Sequence, residues 1–230
     1  MSSSAARHRP FKDALYDQFA RIGHALASPR RLEMLDLLSQ GEKTVDALSE
    51  DTATPLKNTS AHLRVLRDAR LVERRRQGQH VRYRLADEEV AGVVRALQAL
   101  GRRRLAEVEA VVRAYMDEPE GLEAMTADDL RRRLCHGGVT VLDVRPADEY
   151  QAAHIPGALS VPVADLRRRL RELQRRGQVV AYCRGPYCVF ADEAVRLLQR
   201  HGFAATKLRG GLPEWRARGF PLEAGAEDRP

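Results

Sequence analysis

The apolar run Val179-Val180-Ala181-Tyr182 leads directly into a loop bounded by two cysteines, Cys183-Arg184-Gly185-Pro186-Tyr187-Cys188. The run is rich in β-formers and predicts a strand, Gly185 and Pro186 predict a turn, and the amphipathic stretch from Phe190 to Leu198 predicts a helix. Few layouts satisfy that order. Cys183 must sit at the carboxyl end of a strand, where loop N–H groups and the start of a helix present partial positive charge and favour its thiolate.

The surrounding sequence has the same character. Thr126-Ala127-Asp128-Asp129 opens a helix through Leu134, Val139 to Arg145 reads as a strand, and helical, strand-like and helical segments follow before Val179. Such alternation predicts an α/β domain with a mainly parallel sheet covered by helices, in which ligands bind at the carboxyl ends of strands.

Four segments fall in order along this half: Leu142-Asp143-Val144-Arg145 with Glu149-Tyr150, His154-Ile155-Pro156-Gly157-Ala158, the Cys183 loop, and Arg209-Gly210-Gly211 with Trp215. On these motifs Leu122 to Leu222 closely resembles a rhodanese domain. The resemblance implies that Cys183 accepts a sulfane sulfur and becomes a persulfide, drawing on thiosulfate, a persulfide or a polysulfide. The chemistry is consistent with this: a thiolate attacks the outer sulfur of the donor, and loop amides hold the negative terminal sulfur that results. Such a setting lowers a cysteine pKa from about 8.5 to roughly 3.5–7.5.

Arg184, Gly185, Tyr187 and Cys188 are the candidate substrate-binding or resolving residues, with Arg184 read either as the partner of an anionic donor or as an exposed loop charge. Cys188 has three readings: it resolves a persulfide or sulfenate into an internal bond, joins Cys183 on a soft metalloid such as arsenite, or packs as a small hydrophobe. The loop departs from the common rhodanese pattern after its glycine, which leaves donor preference and turnover open. A related fold dephosphorylates proteins with an arginine six positions after the cysteine; Val189 stands there and argues against that chemistry. Asp143, Arg145 and His154 are expected to hold the fold, and Cys135 to pack.

The first half is all-helical until a hairpin. Helical spacing of Leu15, Phe19, Ile22 and Leu26, then of Leu32, Leu35 and Leu38, predicts two helices; Thr44 caps a short third one with Val45 and Leu48 inward. Thr54-Pro55 reads as N-cap and first helical residue of a fourth helix that buries Leu63 and Leu66. Val72 to Arg76 and Val81 to Leu85 flank a turn at Gln77-Gly78-Gln79. From Lys57 to Arg84 there are nine basic residues against two acidic ones, a surplus of seven that equals the net charge of +7 of the whole chain. Charge concentrated in this way marks a polyanion footprint.

That order is the pattern of a winged helix-turn-helix, in which a helix enters the major groove and hairpin arginines meet phosphate. Residues Ala27 to Leu85 resemble the ArsR family of winged-helix repressors, notably in Leu26-Ala27-Ser28-Pro29-Arg30-Arg31-Leu32, Thr59-Ser60-Ala61-His62-Leu63-Arg64-Val65-Leu66 and Leu71-Val72-Glu73-Arg74-Arg75-Arg76-Gln77-Gly78. The resemblance implies a homodimer on double-stranded operator DNA, read by the helix from Pro55 to Asp68. Candidate DNA contacts, chosen by exposure, are Lys57, Asn58, Thr59, Ser60, His62, Arg64, Arg74, Arg75 and His80. Apolar residues from Val90 to Tyr115 recur at three- and four-residue intervals and predict one long dimerisation helix. Met1 to Met116 contains no cysteine, so the cysteine sensor sites of some ArsR proteins are missing, and a signal has to enter elsewhere or there is none.

The expected organisation is a mainly α winged helix-turn-helix domain over 10–116, a linker over 117–121 at Asp117-Glu118-Pro119-Glu120-Gly121, and an α/β rhodanese-like domain over 122–224. No apolar run is long enough for a membrane span and Met1 to Pro10 lacks a secretory core, so a cytoplasmic protein is expected. Three cysteines argue for redox or sulfur chemistry over a disulfide scaffold. No cofactor and no metal site are predicted. The function expected is a transcriptional regulator, a repressor by resemblance, that senses reactive sulfur or oxidant at Cys183; the alternatives are a sulfurtransferase tethered to a DNA-binding domain and a metalloid-responsive repressor.

Overall fold

A computed structural model of the chain describes residues 8–78, 80–116, 124–173 and 177–225. The chain forms two compact units, Met1–Leu100 and Gly101–Pro230. The linker expected at 117–121 lies outside the described residues.

The first unit begins with helices α1 (Arg9–Leu26) and α2 (Pro29–Leu38), then β1 (Lys43–Thr44), α3 (Val45–Asp51) and α4 (Leu56–Asp68). Strands β2 (Val72–Gln77) and β3 (His80–Leu85) form the hairpin, and α5 (Glu88–Arg104) follows, its last turn belonging to the second unit. The sheet order is β1-β3-β2, with β2 and β3 antiparallel from Val72↔Leu85 to Gln77↔His80. Thr44 caps α3 as expected, its side chain accepting from the Ala47 N–H at 3.2 Å. Met34, Leu35, Leu48, Leu63 and Leu66 are fully buried and join α2, α3 and α4 in one core.

Two boundaries differ from the sequence reading. The N-cap of α4 is Pro55, extended at ψ 140°, and the Thr54 hydroxyl donates to the Thr52 carbonyl at 3.1 Å instead of capping. The single helix expected from Val90 to Tyr115 is two helices, broken at Leu105, which is extended with φ −114° and ψ 103° before α6 (Ala106–Tyr115). Charge explains the site of the break. Arg102, Arg103 and Arg104 fill the last turn of α5, and Glu107 and Glu109 the first turn of α6, so each helix end meets the charge its dipole favours.

The second unit contains α6, then α7 (Ala127–His136), β4 (Val139–Asp143), α8 (Ala147–Ala152), β5 (Leu159–Ser160), α9 (Val163–Arg169) and a 3-10 turn (Leu170–Glu172). It continues through β6 (Gln178–Tyr182), α10 (Phe190–Arg200), β7 (Ala205–Lys207) and α11 (Gly211–Ala217). The four strands are all parallel, in the order β5-β4-β6-β7. Successive β6 side chains alternate between faces: Val179 and Ala181 join a core with Leu142, Leu198 and Phe203, while Val180 and Tyr182 join one with Leu130, Val141 and Trp215. Burial on both faces explains why the strand reads as a continuous apolar run. Among the described residues no helix is long and apolar enough to cross a membrane.

Candidate functional site

β6 delivers Cys183 to the carboxyl edge of the sheet, where it is buried, at 2% exposure. Its backbone is held from the facing motif: the Leu212 N–H donates to the Cys183 carbonyl at 3.1 Å. Gly211, at φ +62°, makes that approach feasible, because a Cβ there would stand 2.3 Å from the Cys183 carbonyl oxygen and 3.0 Å from the Gly185 nitrogen. The loop then turns on itself, the Cys188 N–H reaching the Gly185 carbonyl at 3.2 Å. Cys183 and Cys188 are joined in a disulfide, with their Cα atoms 6.4 Å apart, a normal span for such a bond.

A cavity of about 470 Å³ opens over this pair, and Gly185, Tyr187, Lys207 and Arg209 are among the residues that line it with both cysteines. The predicted loop residues Gly185, Tyr187 and Cys188 are therefore brought together around Cys183. Arg184 is not. Sequence reasoning aimed it at an anionic donor, but its guanidinium forks onto Glu149, with Nη2 2.6 Å and Nε 2.9 Å from Oε1. Glu149 is 1% exposed, and a buried carboxylate requires such a partner. Arg184 thus ties the loop to α8.

Beneath the loop lies a polar network that the motif residues Asp143 and Arg145 build. Both are fully buried, and Arg145 Nη2 sits 2.5 Å from Asp143 Oδ2. The Tyr182 hydroxyl donates to Asp143 Oδ2 at 2.6 Å and accepts from the Ile155 N–H at 3.1 Å. Burial, followed by the Asp143 charge, pushes the Tyr182 pKa well above the usual tyrosine range. Burial opposes the Arg145 charge, but the hydrogen bonds and charge of Asp143 overcome it and raise the guanidinium pKa. His154 stacks on Tyr150 with ring centroids 3.7 Å apart and meets the Tyr150 carbonyl at 2.8 Å through Nδ1. Asp143, Arg145 and His154 are thus all engaged in buried or half-buried contacts within the domain. Cys135 is exposed rather than packed.

In the first unit, α4 presents Lys57, Asn58, Ser60 and Arg64 to solvent; Lys57, Ser60 and Arg64, three and four residues apart, share one face. Arg74 and Arg75 of β2 are exposed as well. Thr59 is a correction: it is fully buried, its hydroxyl donating to the carbonyls of Thr54 at 3.2 Å and Pro55 at 3.3 Å, so it secures the first turn and faces no groove. His62 is half-buried, and burial, then the charges of Arg31 and Arg30, lower its pKa. The backbone of His80 pairs with Gln77; its side chain lies outside the described residues. Among the described residues no group of three or more His, Cys, Asp or Glu side chains could hold a metal ion.

The family model for the rhodanese-like domain matches residues 126–218, and that for the bacterial regulatory proteins of the arsR family matches residues 28–74. The HTH-type transcriptional regulator Rv0324 of Mycobacterium tuberculosis is 46% identical over 215 residues, which span 94% of each chain. The chain belongs to the ArsR family. It is an ArsR-family DNA-binding regulator whose C-terminal half is a rhodanese-like domain. The chain is also similar to a tRNA sulfurtransferase of Desulfurococcus amylolyticus, 31% identical over 140 residues, covering 60% of this chain and 27% of that one. Among solved structures, the homodimeric winged helix-turn-helix DNA-binding domain Mb0332 from Mycobacterium bovis is 42% identical, covers 46% of this chain and 94% of that one, and has a TM-score of 0.40.

Proposed function

We propose that this ArsR-family regulator is a homodimeric repressor whose rhodanese-like domain senses sulfane sulfur through Cys183 and Cys188. The observation that carries the reading is the bond between the two sulfurs at the cavity. In the reduced loop the Cys183 thiolate attacks the outer sulfur of a donor R–S–S⁻, forming Cys183–S–S⁻ and releasing RS⁻. The Cys188 thiol then attacks the Cys183 sulfur, closing the disulfide and expelling HS⁻. A cellular dithiol resets the loop, becoming a disulfide itself. This second step favours a sensor over a sulfurtransferase, because Cys188 consumes the persulfide before an outside acceptor takes the sulfur.

The DNA side of the reading rests on charge and exposure. Lys57, Asn58, Ser60, His62 and Arg64 of α4 face the major groove and Arg74 and Arg75 of the wing meet phosphate, the division of labour expected of base-reading and positioning contacts. The dimer forms through apolar side chains the single chain leaves in water: Phe19 at 56% and Ile22 at 40% exposure on α1, Val93 at 47% and Leu97 at 40% on α5. Phe19 and Ile22 stand three residues apart and Val93 and Leu97 four apart, so each helix carries its own exposed apolar stripe.

The test is operator affinity by fluorescence anisotropy at fixed salt, for the wild type, Cys183→Ser and Cys188→Ser, with and without a sulfane-sulfur donor. The expected result is loss of affinity on donor addition in the wild type alone, with H2S released in step. Donor-induced release that persists in Cys183→Ser overturns the reading. Arsenite-induced release requiring both cysteines assigns the loop to a metalloid instead.

A further inference from the structure

Arg102, Arg196, Lys207 and Arg209 line the cavity over the cysteine pair; Arg102 and Arg196 reach it from helices, while Lys207 and Arg209 stand on the segment that runs into Gly211. Arg184 is spent on Glu149 and does not line the cavity. Lys207 lines it, but its ammonium sits 2.6 Å from Asp192 of the first turn of α10, so the two charges largely cancel. Arg209 lines the cavity too, is exposed, and among the described residues makes no side-chain hydrogen bond or ion pair.

Its backbone is fixed on both sides. The Leu208 N–H donates to the Ala181 carbonyl of β6 at 2.9 Å, and the Arg209 N–H to the Met125 carbonyl at 2.8 Å. Gly210 follows at φ +72° and Gly211 at φ +62°, and Gly211 is the residue packed against the Cys183 carbonyl. Arg209 therefore projects from the segment that also positions the sulfur, as an uncompensated planar cation beside the reactive pair. A guanidinium presents a rigid fork that matches planar or tetrahedral oxyanions.

We propose that Arg209 is the specificity-determining residue of the loop: it receives the negatively charged end of the sulfur donor and so selects anionic donors. The inference rests on the sulfur-accepting role of Cys183. The ligand chemistry is a sulfane sulfur with an oxyanion on the leaving side, either the sulfite moiety of thiosulfate or the carboxylate of a low-molecular-weight persulfide. With thiosulfate the step is Cys183–S⁻ plus S2O3²⁻ giving Cys183–S–S⁻ plus SO3²⁻; the S–S bond of the donor breaks, a new one forms at Cys183, and sulfite leaves with the electron pair. Arg209 holds the three oxygens that become sulfite.

The experiment uses the full reduced chain carrying Cys188→Ser, so that the persulfide accumulates, and follows the gain of one sulfur by intact mass against time. Thiosulfate, glutathione persulfide and cysteamine persulfide, cationic on its leaving side, are the donors, tested with Arg209, Arg209→Gln and Arg209→Lys. The expected result is a fall of about tenfold in the second-order rate with one or both anionic donors in Arg209→Gln, partial recovery in Arg209→Lys, a weaker salt dependence, and no fall with the cationic donor. Which anionic donor responds identifies the source. Equal losses for all three donors reduce Arg209 to a structural role and overturn the proposal, as does an unchanged rate. Failure of the Arg209 chain to gain sulfur from any donor sinks the sulfur reading itself, an outcome distinct from both.

Discussion

Arg184 and Glu149, 35 residues apart in sequence, meet as a two-pronged ion pair, with Nη2 2.6 Å from Oε1 and Nε 3.1 Å from Oε2. The carboxylate is 1% exposed and the arginine side chain 16%. Removing one partner strands the other. Arg184→Met is expected to cost the second unit about 3–5 kcal/mol, and Arg184→Met with Glu149→Leu distinctly less, because the pair of changes leaves no buried charge. Urea unfolding of the full chain, followed by the fluorescence of Trp215, checks this; equal costs for the single and double variants would contradict it.

Tyr182 makes the same unit sensitive to alkali. Its pKa is raised in the folded state by burial and by Asp143, so the neutral form stabilises the fold fully below the ordinary tyrosine pKa of about 10 and that contribution is lost as pH rises above it. Thermal melts from pH 8 to 11 are expected to show a steep loss of stability in the wild type. Tyr182→Phe starts about 1–3 kcal/mol lower, having lost two buried hydrogen bonds, but falls less steeply above pH 10. Parallel curves would show that Tyr182 does not titrate the fold.

The basic surface of the first unit divides into two classes of contact. Arg74→Ala and Arg75→Ala are each expected to weaken binding to every DNA sequence and to reduce the slope of log affinity against log salt by about 0.9. Asn58→Ala and Ser60→Ala are expected to change sequence preference more than slope. Thr59→Val, within the same helix, is expected to lower stability by about 1 kcal/mol through its lost hydroxyl bonds and leave the slope alone. The lowered pKa of His62 keeps it neutral at pH 7, so operator affinity should rise only as pH falls below the ordinary imidazole pKa of about 6.5, and His62→Gln should flatten the profile.

Self-association is tested on α1. Phe19→Glu places a charge in the exposed apolar stripe, and sedimentation equilibrium is expected to shift from dimer to monomer with operator affinity lost in parallel. A dimer that survives the change places the interface elsewhere.

The cysteine loop was legible because three signals agree there: a short apolar run, Gly-Pro punctuation and an amphipathic segment. Both units follow from patterns of that local kind. What sequence reasoning missed depends on distance or on phase. No local rule joins Glu149 to Arg184, although Glu149-Tyr150 stands in a recognised motif. The burial of Thr59 could have been found, since Thr59, Leu63 and Leu66 fall four and three residues apart on one face. The break at Leu105 interrupts an unbroken apolar repeat, and the only cue is the switch from Arg102-Arg103-Arg104 to Glu107 and Glu109.

Gly211 and Leu212 grip Cys183 by its carbonyl, and Arg184 is anchored one residue later, whereas Pro186 and Tyr187 lie exposed at the far side of the turn. The loop is thus held more closely where it leaves the sheet than at the exposed far side of its turn. Opening the sulfur bridge is therefore expected to move Cys188, on the α10 side, more than Cys183.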